Sequence, residues 1–104
     1  MFKLIIQLYR REDMTSEQFA HWWLVEHAPR AKELPGLRRL VFNLVASDEP
    51  DAPDGISELW FDSREAADEA YASEIGKAVA ADSMANLRAR VRLPVTEHEV
   101  LAGG

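Results

Sequence analysis

Apolar residues recur at every second position in several stretches of this chain and at helical spacing between them. The order of those periods leaves few architectures open. Residues 2 to 10 alternate: Phe2, Leu4, Ile6 and Leu8 fall on one side, Lys3, Ile5, Gln7 and Tyr9 on the other. A period of two predicts a strand with one wholly apolar face and one mixed face. Thr15-Ser16-Glu17-Gln18 then opens a helix, because Thr15 and Gln18 stand at capping-box spacing and Glu17 suits the positive helix end. The helix runs through Phe19, Trp22, Trp23 and His27. Pro29 lacks an N–H and its ring opposes the Val25 carbonyl, so a kink or break is expected just after His27, followed by a short turn to Leu34. Leu37–Val45 reads as a second strand and Ile56–Phe61 as a third, with SDEPDAPDG a loop between them. Ser63 caps an alanine-rich helix to about Ala72, a second helical stretch covers Ile75–Ala81, and Met84–Arg90 gives no clear period. Val95–Leu101 is expected to be the last strand, with Ala102-Gly103-Gly104 frayed.

The resulting order, β-α-β-β-α-β, fits an α+β ferredoxin-like sandwich: one four-stranded antiparallel sheet with its helices on one face. At 104 residues this is a single domain, 1–104, large enough to bury a core without covalent staples. The uncovered sheet face would carry Ile5, Gln7, Tyr9 and Trp60, an apolar patch that a soluble monomer rarely exposes. A homodimer pairing its sheets face to face would cover that patch and enclose a cavity.

Composition narrows the partners. Acidic residues outnumber basic ones 18 to 12, a net charge of −6, and Arg10–Arg11, Arg38–Arg39 and Arg88/Arg90/Arg92 are short clusters; no nucleic-acid partner is expected. There is no cysteine, which excludes disulfides, thiolate metal sites and cysteine nucleophiles and fits a reducing compartment. No apolar run reaches bilayer length, and the first residues lack a basic leader and a cleavage site, so neither a membrane span nor a signal peptide is expected and a cytoplasmic location is the expectation.

Few residues carry chemistry. His21 lies opposite Phe19 and Trp22–Trp23 on the helical wheel and reads as exposed. His98, within Glu97-His98-Glu99, would point away from its neighbours on a strand, so no metal site is expected. His27 shares a helix face with Phe19, Trp23 and Arg30 and directly precedes the Pro29 discontinuity. Its unperturbed pKa suits proton transfer near neutrality. The alternative is a structural ring capping the Val25 carbonyl freed by Pro29. Glu58 is a carboxylate on the mixed face of a central strand, costly unless paired or wetted; an ion pair with Arg39 would satisfy it. Trp60, Trp22 and Trp23 are equally explained as packing. No glycine-rich phosphate loop, paired metal-spaced histidines or G-x-S-x-G elbow is present.

Several blocks, taken together, resemble the EthD family: Met14-Thr15-Ser16-Glu17-Gln18-Phe19, Trp23, Glu26-His27-Ala28-Pro29, Leu34-Pro35-Gly36-Leu37-Arg38-Arg39, Asn43, and Asp54-Gly55-Ile56-Ser57-Glu58-Leu59-Trp60-Phe61-Asp62-Ser63. The resemblance spans about residues 2 to 101. It implies a dimeric α+β barrel, a superfamily that includes muconolactone and methylmuconolactone isomerases, polyketide cyclases, antibiotic-biosynthesis monooxygenases and haem-handling enzymes. EthD takes its name from ethyl tert-butyl ether degradation. The H-x-P histidine of related isomerases lines the pocket, which points to His27. Leu40 departs from the methylmuconolactone isomerase pattern, which carries a tyrosine near that place, and no axial-ligand pattern for haem is present. The expectation is a cofactor-independent enzyme acting on a small apolar or aromatic, lactone or polyketide-like substrate by isomerisation, dehydration or oxygenation. His27 would shuttle a proton and Asn43 would bind a carbonyl or enolate oxygen. Trp23, Tyr9 and Trp60 would wall the pocket, with Gln7 and Glu58 beside them. The alternative is a non-catalytic ligand-binding accessory of an oxidative degradation system.

Overall fold

The computed structural model describes residues 1–103; the expectation for Gly104 lies outside them. Strand β1 (Phe2–Arg10) leads into α1 (Ser16–His21), a π-helical turn (Trp22–His27) and α2 (Ala28–Ala31). Strands β2 (Arg39–Leu44) and β3 (Gly55–Phe61) follow, then α3 (Arg64–Ala72), α4 (Glu74–Asn86) and β4 (Leu87–Val95). The sheet order is β2-β3-β1-β4 with every neighbour antiparallel, the ferredoxin-like arrangement. No described helix is long and apolar enough to cross a membrane.

Alternation decides the two faces. Leu4, Ile6 and Leu8 of β1 and Ser57, Leu59 and Phe61 of β3 are buried beneath the helices, joined by the half-buried Leu40 and Phe42 of β2. The intervening residues, Lys3, Ile5, Gln7, Tyr9, Val41, Asn43, Ile56, Glu58 and Trp60, occupy the other face, where β4 adds Val91 and Leu93, each about 40% exposed.

The capping box forms as the sequence implies: the Thr15 hydroxyl accepts from the Gln18 N–H, and the Gln18 side chain accepts from the Thr15 N–H. Pro29 does not break the helix after His27. The chain accommodates it upstream, in the π turn, where the Ala28 N–H donates to the Trp23 carbonyl five residues back; Pro29 then falls in the first turn of α2, where its missing N–H costs nothing. The wide turn also keeps a stripe in line. Phe19, Trp23, His27 and Ala31 stand four residues apart, and in an unbroken α-helix each step overshoots a full turn by roughly 40°. The extra residue in the π turn offsets that drift, and all four are at most 5% exposed. Trp23 lies so close to the sheet that a Cβ on Gly55 would sit 2.6 Å from its ring. Only glycine fits there.

The last strand departs from the sequence reading. It is Leu87–Val95, not Val95–Leu101, and residues 96–103 follow without strand structure. Leu87, Val91, Leu93 and Val95 alternate with Arg90, Arg92 and Pro94, but a shift of register opposite Tyr9 and Arg10 interrupts the period. Proline is tolerated because β4 is an edge strand. α4 correspondingly runs to Asn86, beyond the expected end at Ala81.

Candidate active site

The stripe on the first helix brings His27 against α4. Its imidazole is 5% exposed. Nδ1 lies 2.7 Å from Asp82 Oδ2. The other Asp82 oxygen receives Arg30 Nη1 at 3.1 Å and Trp22 Nε1 at 3.4 Å, and Asn86 Nδ2 donates to the Asp82 carbonyl at 2.9 Å. A carboxylate only accepts, so Nδ1 carries the hydrogen and Nε2 keeps its lone pair. Burial pushes the His27 pKa below 6.5, Asp82 opposes that shift, and Arg30 and Arg90 reinforce it. The ring is therefore neutral at pH 7, oriented, and basic at Nε2. His27 does not bond the Val25 carbonyl; Asp82 supplies its partner.

His27 lines a cavity of about 20 Å³ between the helices and the sheet, room for roughly one water. Trp23, Leu40, Phe42, Leu59 and Val79 form its apolar walls, and Ser57, Tyr71, Ser83 and Arg90 bring polar groups to it. The Trp23 and Phe42 rings stack at 4.3 Å and 5°, and His27 packs 4.8 Å from the Trp22 ring. Both tryptophans of the pair are buried, one over the sheet and one over the His27–Asp82 contact.

The other residues singled out in the sequence lie across the sheet. The single pocket expected to join His27 and Trp23 with Gln7, Tyr9, Asn43, Glu58 and Trp60 is not formed, because alternation sends the two sets to opposite faces. The far face has its own polar cluster. Lys3 Nζ, nearly buried, lies 2.9 Å from Glu58 and 2.8 Å from Glu97 and sits 4.5 Å over the Trp60 ring. Asn43 Nδ2 donates to Glu58 at 3.1 Å and to the Ile56 carbonyl at 3.0 Å. Trp60 Nε1 donates to Glu97 at 3.1 Å. The partner of Glu58 is thus Lys3 rather than Arg39, which stacks on Trp60 at 4.6 Å. Hydrogen bonds from Lys3 and Asn43 hold the Glu58 pKa low, and Glu97 raises that of Lys3. Tyr9 carries Arg88 over its ring at 5.3 Å, and Gln7 faces Ile56 and Val91. This cluster is a set of closed ion pairs. His21 is exposed, and His98 follows the sheet in the irregular tail.

Asp82 and Tyr71 were not singled out by the sequence, and Arg90 stood out only as part of the short basic cluster Arg88/Arg90/Arg92. Asp82 stands 55 positions from His27, and only the packing of α4 on the π turn joins them. A local hint exists: Asp82 and Ser83 follow the alanine-rich run Ala78-Val79-Ala80-Ala81 in α4. Two larger surface hollows, about 750 Å³ beside residues 44–54 and about 620 Å³ beside the start of α1, are lined in part by groups already engaged, Arg10 with Asp54, Arg11 with Asp13 and Thr15 with Gln18; His21, exposed, lines the second.

Comparison with known proteins agrees with this architecture. The EthD domain family matches residues 11–88. An EthD family protein from Bacillus halodurans superposes with a TM-score of 0.79 at 22% identity, over 94% of this chain and 100% of that one. A dimeric ferredoxin-like protein of unknown function from Thermobifida fusca gives 0.74 at 14% identity, over 92% and 90%. SnoaB, a cofactor-independent oxygenase from Streptomyces nogalater, gives 0.70 at 12% identity, over 98% and 97%. No curated protein matches the chain.

Proposed function

The chain belongs to the EthD family, and within that family we propose that it is a small cofactor-independent enzyme whose base is His27, held by Asp82. The observation that carries this reading is the His27–Asp82 contact at 2.7 Å beside a small cavity with largely apolar walls. Asp82 fixes the tautomer, burial keeps the ring neutral, and Nε2 is left free to take a proton. The substrate is an aromatic, lactone or polyketide-like molecule with a proton made acidic by an adjacent carbonyl or ring. Loss and return of that proton accounts for isomerisation or dehydration. Oxygenation of the deprotonated substrate by dioxygen would begin with the same step, and the likeness to SnoaB supports keeping that outcome among the reactions tested. The cavity has room for roughly one water, so a larger substrate requires its walls to move apart while His27 and Asp82 stay in contact.

Two copies are proposed to pair through the uncovered sheet face. Val91, Leu93 and the half-buried Ile5, Val41 and Ile56 leave an apolar surface there, and the relative from Thermobifida fusca is described as dimeric.

A screen of enolisable aromatic ketones, lactones and polyketide mimics tests the reading, comparing the chain with His27→Ala and His27→Gln. Turnover should fall roughly a hundredfold or more in both variants, while ligand binding persists. Unchanged turnover in His27→Ala removes His27 as the base, and binding without turnover in the unsubstituted chain leaves a ligand carrier.

A further inference from the structure

Two cationic or potentially cationic side chains line the cavity, His27 and Arg90. His27 has its carboxylate; Arg90 has none. Among the described residues Arg90 enters no ion pair, although it is half-buried. Register explains its place. Arg90 is paired with Leu8, so it projects to the helix side of the sheet beneath the cavity, while its neighbours on β4, Ala89 and Val91, pair with Tyr9 and Gln7 on the far side. Arg92, paired with Ile6, also projects to the helix side and stacks on the Tyr71 ring at 4.7 Å. Burial lowers the Arg90 pKa and Arg92 adds to the effect, with no carboxylate opposing them. A guanidinium nevertheless stays protonated in proteins. Burial raises the pKa of Tyr71, so its hydroxyl keeps its hydrogen and can donate.

A half-buried cation without a counter-charge is costly in a folded chain unless something else supplies the charge. We infer that Arg90, assisted by the Tyr71 hydroxyl, binds the oxyanion of an enolisable carbonyl substrate beside the His27 base. This deepens the reading of His27 given above and rests on it. The substrate class narrows accordingly to compounds with a C–H between or beside carbonyl groups, such as β-diketones and β-keto esters. The step balances without a further reactant. His27 Nε2 takes the proton, the C–H pair becomes the C=C bond of the enolate, and the carbonyl π pair moves to the oxygen held by Arg90. Return of the proton at another carbon or oxygen completes the exchange.

Acetylacetone tests this, because its enolate absorbs in the ultraviolet and its central methylene exchanges with deuterium. The unsubstituted chain should increase the enolate fraction at pH 7 and accelerate exchange. Arg90→Gln should weaken enolate binding tenfold or more, the scale of one hydrogen bond to a charged group, with Arg90→Lys between them. Tyr71→Phe should weaken it less. His27→Gln should slow exchange while leaving enolate binding from alkaline solution within a fewfold. Circular dichroism spectra matching the unsubstituted chain show that each variant folds; should Arg90→Gln fail to, Arg90→Lys carries the comparison. Equal enolate binding in Arg90→Gln or Arg90→Lys and the unsubstituted chain overturns the inference, as does no binding by the unsubstituted chain. Lost exchange in His27→Gln beside unchanged binding in Arg90→Gln retains the base and discards the anion site. The reverse pattern retains the anion site and discards the base.

Discussion

At the scale of single residues, the buried hydrogen bond from His27 to Asp82 and the free nitrogen of His27 set what pH and substitution will do. Burial lowers the His27 pKa in the folded chain, so the unfolded chain binds more protons between the two values. Stability is therefore highest above the unfolded value of about 6.5 and declines as pH falls toward the folded one. Urea unfolding at pH 7 and pH 5 should show a loss on acidification that is smaller in His27→Gln. The carboxylates Glu58 and Glu97, whose pKa values are lowered mainly by hydrogen bonds from Lys3, add their own losses at lower pH in both proteins. Asp82→Ala should destabilise by about 1–3 kcal/mol in the same assay, because it strands the buried Nδ1–H of His27 and the Nε1–H of Trp22. His27 was legible in the sequence because a proline beside a helical histidine is a local signal. Asp82 was not, since nothing in spacing links it to His27 and only the packing of two distant helices brings it there.

At the scale of elements, the sequence carried β1, β3, the capping box and the Ser63 cap almost residue for residue, because strict alternation and hydroxyl caps are short-range features. It misplaced the last strand for a physical reason. Arg90 and Arg92 of β4 lie on the helix side, where an apolar face is expected, and the bulge opposite Tyr9 and Arg10 spoils the period. The π turn was equally hidden: proline announces a disturbance but does not say on which side the helix will absorb it. Where an element meets its neighbour closely, the expected effects are sharp. Gly55→Ala drives a methyl into the Trp23 ring and should cost roughly 1–3 kcal/mol in chemical denaturation. The Trp23–Phe42 stack should loosen with it, visible as a change in near-ultraviolet circular dichroism.

At the scale of the whole molecule, the helices cover one face of the sheet and leave the other uncovered, the face proposed to pair with a second copy. Val91→Glu combined with Leu93→Glu places charge on the uncovered face without touching the core, and both side chains are already part-exposed. Sedimentation at micromolar concentration should show a dimer for the unsubstituted chain and a monomer for the double variant, with secondary structure unchanged. A monomer for the unsubstituted chain ends the proposal of pairing. The sheet also acts as a partition. The Lys3–Glu58–Glu97 cluster and the His27–Asp82 pair share no partner, so their substitutions should add independently. A lineage built on this scaffold could accordingly drift in what it associates with while its chemistry stayed constant, or acquire a new substrate while its assembly stayed constant, because changes selected on one side of four strands carry no obligatory repair on the other.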